Sequence, residues 1–340
     1  MEERTFADIG RVEAIRLLFE GSAYTAFADT VHCSATGAGD SIASASRLLI
    51  EGTDFDLTYF PLEHLGYKAA VSVIGELLAD LARPHTLSIV LGISAKLDFP
   101  QVQKLWKGVL SAAGKFGIKE LALDLIPSHN GLSISVNASG IKSKITAVRQ
   151  PAPKSKDLLC VSGPLGAAYL GLQVLENEKR NFEHSELNKD KLERYKMLVS
   201  AYLHPELPSN IVGELEDSEI YPSAGVFVTR GLSDALLRLC RSTSLGAKVY
   251  TDKIPFEGGS FDLGREFDLD PISAAMNGGD DLRLLFTVPI LKMEKFRHDF
   301  QTFDIIGHLA LPEAGCSLVT PEGAELQVTA PGWNTNQDHQ

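Results

Sequence analysis

The sequence predicts an α/β protein of the α+β kind with two domains, and three observations lead there. A chain of 340 residues has material for about two domains, each with its own core. In the first half, strand-like stretches come in runs broken by two amphipathic helices, the pattern of helices laid on one face of a sheet. Residues 150–156 (QPAPKSK), rich in Pro and Lys, then separate this half from a second α/β unit.

The elements follow in order. Residues 10–20 (GRVEAIRLLFE) read as a short amphipathic helix. Residues 24–34 and 40–50 read as strands around the turn TGAGD at 36–40, with a third strand expected just after Glu51. Residues 66–82 are helical, because Ala70, Val73, Ile74, Leu77, Leu78 and Leu81 recur at spacings of three and four; Arg83-Pro84 should end the helix. Residues 87–93 form a strand, and 100–117 a second amphipathic helix with Pro100 near its start. Residues 121–125 and 132–138 are strands flanking a polar loop, so the order after the first helix is βββαβαββ. Beyond the linker come a strand at 157–162, a helix at 165–178, a highly charged segment at 181–196 read as a solvated helical face, a helix at 232–242, and strands at 248–254, 283–288 and 304–306. The domains are expected to span residues 1–148 and 149–335, with the last eight residues of the chain frayed and no internal repeat of fixed period.

Composition narrows the function. A net charge of −12 and a pI near 5.2 argue against nucleic acid or an anionic membrane as the main partner. No apolar run approaches the ~18 residues that span a bilayer, and the acidic, polar N-terminus lacks the basic-then-apolar order of a signal peptide. Cys33, Cys160, Cys240 and Cys316 are scattered without CxxC or Cys/His spacing, which suits buried thiols in a reducing cytoplasm.

The chemistry-bearing stretch is residues 275–288, AMNGGDDLRLLFTV. Two glycines let a backbone approach a ligand closely, and Asp280 and Asp281 offer hard oxygen ligands. Such carboxylates either hold a metal or phosphate site or make turn and helix-cap hydrogen bonds. Gly163-Pro164-Leu165-Gly166 opens a helix and reads as a plain helix start, although a glycine-bearing start can bind anions. No pair of histidines stands at metal-ligand spacing.

The GGDD turn resembles GGEDYELLFT of the thiamine-monophosphate kinase family. Three further stretches are similar to that family in the same order: EGTDFDLTYFPLEHLGYKAA at 51–70, DLLCVSGPLGAAYLGLQVLENEK at 157–179 and PSAGVFVTRGLSDALLRLC at 222–240. The resemblance runs over nearly the whole chain. It implies the two-domain aminoimidazole-ribotide-synthetase-like fold, with an N-terminal sheet that closes a barrel across a homodimer and a cleft for ATP. It also implies transfer of the γ-phosphoryl of ATP to thiamine monophosphate. Phosphoryl transfer needs divalent ions, normally Mg2+, held by carboxylates against the crowded phosphate charge.

The family's metal positions fall on different residue types here. Its opening Gly-Asp-Asp matches Ala28, Asp29 and Thr30, and its next aspartate falls on Arg47. A +1 charge about 5 Å from a +2 ion costs roughly 6–7 kcal/mol at an effective dielectric of ~20, where there had been attraction. Asn-x-Ser-Asp matches Val73, Ile74, Gly75 and Glu76; Gly-Gly-Asp matches Ala122, Leu123 and Asp124; Asp-x-Ser-Asp-Gly matches Phe227, Val228, Thr229, Arg230 and Gly231. The candidate metal ligands by resemblance are therefore Asp29, Glu76 and Asp124. Arg47, Thr229, Arg230 and Arg149 are candidates for nucleotide or phosphate, with Arg149 matching a family arginine that reaches ATP. Asp54, in place of a histidine that meets thiamine phosphate, joins Asp280, Asp281 and Trp333 as substrate-pocket candidates. Arg47 and Arg230 have two readings: they grip phosphate oxygens in place of metal, or they salt-bridge leftover carboxylates such as Asp29 or Asp124.

These changes lead to the expectation of a thiamine-monophosphate kinase-like protein with weak or no kinase turnover. The alternatives are a non-catalytic protein binding a nucleotide or phosphorylated metabolite, and a structural partner of an active paralogue.

Overall fold

The computed structural model describes residues 32–35, 39–182 and 189–330. The expected helix at 10–20, most of the strand expected at 24–34, Asp29 and Trp333 lie outside them.

The first half runs β1 (His32–Ala35), β2 (Ser41–Ile50), α1 (Leu62–Ala79), β3 (Arg83–Ser94), α2 (Phe99–Lys115), β4 (Glu120–Ser128), β5 (Ser133–Lys142) and α3 (Lys144–Arg149). Its strands form one sheet in the order β1-β2-β5-β3-β4, antiparallel except for the parallel pair β3–β4. Side chains alternate across it: Ala43, Ala45 and Leu49 point to the helices with Ile134, Val136 and Ala138, while Ile42, Leu48, Ile50 and Ile141 lie exposed on the other face. Asp98 and Gln101 form a reciprocal capping box that starts α2 at Phe99.

Two expectations are corrected here. No strand follows Glu51. Gly52 has a φ of 82°, and the N–H groups of Thr53 and Asp54 both return to the Ile50 carbonyl, making a turn. Arg83-Pro84 also does more than end a helix. It begins β3, where the register irregularity beside Pro84 accommodates the missing N–H.

The second half runs β6 (Leu158–Val161), α4 (Ala167–Phe182), α5 (Lys189–Arg194), α6 (Lys196–Leu203), α7 (Ile211–Asp217), β7 (Ala224–Val228), α8 (Leu232–Thr243), β8 (Gly246–Tyr250), α9 (Ser260–Phe267), α10 (Pro271–Asn277), β9 (Arg283–Val288), α11 (Met293–Asp299), β10 (Asp304–Ala310), β11 (Cys316–Val319) and β12 (Glu325–Gln327). A seven-stranded sheet joins them in the order β12-β11-β8-β10-β6-β9-β7.

Helix α1 lies between the two sheets. Residues Leu65 to Ala79 of it are buried without a break, against β2, β3 and β5 on one side and β7 and β9 on the other. One apolar core therefore contains residues of both halves, from Ala43 and Ile89 to Phe227 and Phe286. On a third side α1 meets α2 backbone to backbone, because a Cβ on Gly66 would fall 1.9 Å from the Leu105 carbonyl oxygen and one on Gly108 1.8 Å from that of Glu63. Among the described residues no helix is long and apolar enough to cross a membrane.

Candidate functional site

The turn between α10 and β9 is conformationally demanding. Gly279, Asp280 and Leu282 have φ of 81°, 61° and 50°, in the left-handed region that costs L-residues most. The Asp280 N–H donates to the Thr229 carbonyl at 2.8 Å, which ties this turn to the end of β7. The strain is thus held by hydrogen bonding as well as by a fully buried Leu282.

This geometry delivers the Asp280 carboxylate to two cations from the first half. Arg47 Nη2 and Lys68 Nζ each stand 3.1 Å from it, on different oxygens. Arg47 reaches Asp280 because it shares the inward face of β2 with Ala45 and Leu49, opposite Val136 of β5. Lys68 arrives from α1 and is 2% exposed, with its ammonium 3.7 Å from the Tyr202 ring centroid and 5.3 Å from that of Phe60. Burial pushes the Asp280 carboxyl up, but Lys68 and Arg47 outweigh it and hold the group below the usual carboxylate range. Burial also pulls the Lys68 ammonium down against the opposing pull of Asp280.

Asp54 and Arg230 complete the cluster. Asp54 accepts from the Ile50 N–H at 2.9 Å; burial raises its carboxyl against that bond and against Arg47, with Asp280 adding to the rise and Arg230 opposing it. Arg47 and Asp280 are paired, and Asp54 lies within electrostatic reach of Arg47, Asp280 and Arg230. Thr229, 4% exposed, adjoins them through its carbonyl, and its hydroxyl has no hydrogen-bond partner; nor does Arg47 Nη1. Arg47 takes Asp280 as its carboxylate, not Asp124, which the sequence reading had offered.

The other candidates stand apart. Asp281 is buried, and its two oxygens accept from the N–H groups of Gly166 at 2.8 Å and Ala168 at 3.1 Å. It caps α4 from across the chain, so the glycine-bearing helix start holds the protein's own anion. Burial pushes this carboxyl up to about 7. Glu76 points to Arg238, whose Nη1 is 3.9 Å away and whose Nε pairs with Asp234 at 2.9 Å; Arg238 also donates to the Phe227 carbonyl. The Phe227 ring lies flat against the backbone of Gly75, leaving no room for a Cβ there. Asp124 is exposed on β4, opposite Val90, and its carboxylate accepts from the Leu125 N–H at 2.8 Å. Arg149 pairs with the Tyr221 hydroxyl at 3.3 Å and Glu219 at 3.6 Å. Among the described residues no three His, Cys, Asp or Glu side chains converge as a metal site would require.

Sequence reasoning missed Lys68, Tyr202 and Arg238 as site residues. The signal for Lys68 was present: it is a lone cation in GYKAAVSVIGELLA, a helix otherwise apolar almost all round.

No family model matches the chain. It is 24% identical over 289 residues to the thiamine-monophosphate kinase of Synechococcus elongatus, covering 84% of each protein. Against that of Aquifex aeolicus it is 26% identical over 242 residues, 71% of this chain and 74% of the relative. The fold matches a structure described as AaThiL complexed with AMPPCP and TMP, with TM-score 0.78 and 20% identity over 99% of this chain and 100% of the other. It also matches the hydrogenase maturation protein HypE in complex with ATP, with TM-score 0.61 and 16% identity over 93% and 89%. The chain is thus similar over most of its length to thiamine-monophosphate kinases, at 22–26% identity, and shares their aminoimidazole-ribotide-synthetase-like fold.

Proposed function

We propose that this protein binds a small phosphorylated ligand or nucleotide in the family cleft, that protein cations stand where the family places divalent ions, and that its turnover of ATP with thiamine monophosphate is weak or absent. The observation that carries this reading is the Asp280 carboxylate, shared between Arg47 and Lys68 at 3.1 Å each. A magnesium ion there would have to displace or approach two cations, the buried Lys68 and the half-buried Arg47. Glu76 and Asp281 support it, since one faces Arg238 and the other caps a helix. The described acids therefore do not fit a magnesium cluster.

A guanidinium can grip phosphate through parallel hydrogen bonds without metal. Arg47 keeps Nη1 without a partner, and Arg230 is exposed within electrostatic reach of Asp54. ATP is the nucleotide suggested by relatives solved with ATP or AMPPCP, and thiamine monophosphate the acceptor suggested by their names. The protein acts as a cytoplasmic homodimer in this reading. The exposed Ile42, Leu48, Ile50 and Ile141 on one sheet face support a second copy there, closing the family barrel. The two sheets would be the cores of domains 1–148 and 149–335. The same exposed face supports a second reading, a structural partner of an active paralogue.

Calorimetric titration with ATP, ADP and thiamine phosphates, each with magnesium and with EDTA, tests the proposal beside a kinase assay. Binding that survives EDTA with little ATP consumption is the expected result. Magnesium-dependent binding with turnover at the ~1–100 per second of ordinary kinases would overturn it. No binding at all would favour the structural partner.

A further inference from the structure

A surface pocket of about 320 Å³ lies where α7 meets the chain between α11 and β10. Its lining is divided by chemistry. Ile211, Phe300 and Phe303 supply apolar surface while staying 1%, 5% and 8% exposed, so they form a floor. Phe296 fixes that floor from behind, stacked on Phe300 at 5.0 Å between ring centroids and edge-on to Phe303 at 5.5 Å. The charged lining is acidic. Glu214 comes from α7 and Asp299 from the end of α11, and neither lysine nor arginine joins them. His298 Nδ1 and Lys295 Nζ take the two Asp299 oxygens at 2.8 and 2.9 Å, and these bonds hold its carboxyl down at about 2. Glu214 is exposed and forms no ion pair among the described residues.

The volume stands near the lower end of the ~300–1,000 Å³ of small-molecule sites, which leaves room for one ring and a short substituent. A carboxylate beside aromatic and aliphatic surface complements an alkylated cation. The charge meets the acid, the aromatic rings attract the cation, and its apolar groups leave water for the floor. We propose that this pocket is a second ligand site, for a small organic cation: a substituted ammonium carried on a single apolar ring, with Glu214 as counter-ion and Ile211, Phe300 and Phe303 beneath the ring. The two carboxylates disfavour an anion of the same size. The pocket shares no lining residue with the Arg47–Asp280 cluster, so this site and the ligand proposed above stand or fall separately.

The test titrates benzyltrimethylammonium chloride into the full-length protein at low salt. Isotope-labelled isoleucine methyl groups are followed by NMR, and the Ile211 signal is identified through Ile211→Val. The expected result is a saturable shift of Ile211 that fits one site, with Ile42 and Ile141 on the exposed sheet face unmoved. Glu214→Gln should weaken binding about fivefold, and Glu214→Lys should abolish it. Benzoate, a similar ring with the opposite charge, should leave Ile211 where it is. Arg47→Ala should leave the titration unchanged. An unmoved Ile211, equal affinity in Glu214→Gln, or an equal shift with benzoate would each overturn the proposal.

Discussion

Gly75→Ala probes a crowded point between the two halves. A Cβ there would lie 2.1 Å from Phe227 Cζ and 2.4 Å from both Cε atoms. Carbon atoms rest at about 3.5–4.0 Å, so the ring would have to retreat by roughly 1.4 Å. It has nowhere to go. Phe227 is fully buried, its strand pairs with β9, and Arg238 holds its carbonyl. Overpacking of this kind costs about 1–3 kcal/mol, and three ring atoms in conflict place the value near ~3 kcal/mol. Phe227→Ala alone should cost about 3–5 kcal/mol through the cavity it leaves. In the double variant the added methyl enters that cavity, so the cost should fall below that of Phe227→Ala by up to ~1 kcal/mol. Urea unfolding of the four proteins, followed by circular dichroism, gives the cycle. Strictly additive costs, or Gly75→Ala within ~0.5 kcal/mol of the parent, would refute the packing described. The outcome bears on function, because Phe227 stands where the family resemblance places an acid.

Lys68→Ala should destabilise by about 3–5 kcal/mol by leaving Asp280 half-paired, and Lys68→Met with Asp280→Asn should recover much of that in the same urea assay. Asn tolerates the left-handed backbone at 280, so the substitution isolates the charge. Asp281 binds its proton more tightly folded than unfolded, at about 7 against an ordinary 3.8. Its contribution to stability is therefore full below pH ~4 and lost as pH rises through ~7. Urea midpoints from pH 4 to 8 should fall less steeply in Asp281→Asn than in the parent; parallel profiles would contradict the burial described. If the proposed homodimer forms through the exposed sheet face, Leu48→Lys should convert it to monomer by sedimentation or light scattering while leaving circular dichroism unchanged. Arg47→Ala should weaken EDTA-resistant nucleotide binding tenfold or more by calorimetry.

Elements with a strong period were readable from the residues. The three-and-four spacing in α1 and the alternation in β5 gave their type, and misjudged ends, such as Leu62 in place of 66, reflect a first turn begun by the Pro61 backbone without a side-chain cap, which periodicity does not encode. Short helices such as α7 and α10 carry too few turns to show a period. The turn after Glu51 was hidden because Phe55 and Leu57 continue an apolar alternation while Gly52 reverses the chain. The site was legible only in part. Arg47, Arg230, Asp54 and Asp280 could be named because the family frame brought them together. Which acid Arg47 would choose depended on the path of α1 and on the left-handed turn at 280, and neither is written in local sequence. The Glu76–Arg238 contact joins residues 162 positions apart, and the fit of Phe227 to Gly75 joins residues 152 apart; such pairings exist only once both sheets enclose α1.

That enclosure constrains how a ligand can enter. Two lobes joined by a flexible strap can open like jaws, but here a single helix is rooted in both. Parting the lobes would strip α1 from β7 and β9 or from β2, β3 and β5, exposing a stretch apolar on nearly every side. Arg230 already lies exposed, and access to the half-buried Arg47 would come from side-chain movement beside it, with the two sheets standing still. Recognition would rest on a charge pattern set in place before the ligand arrives.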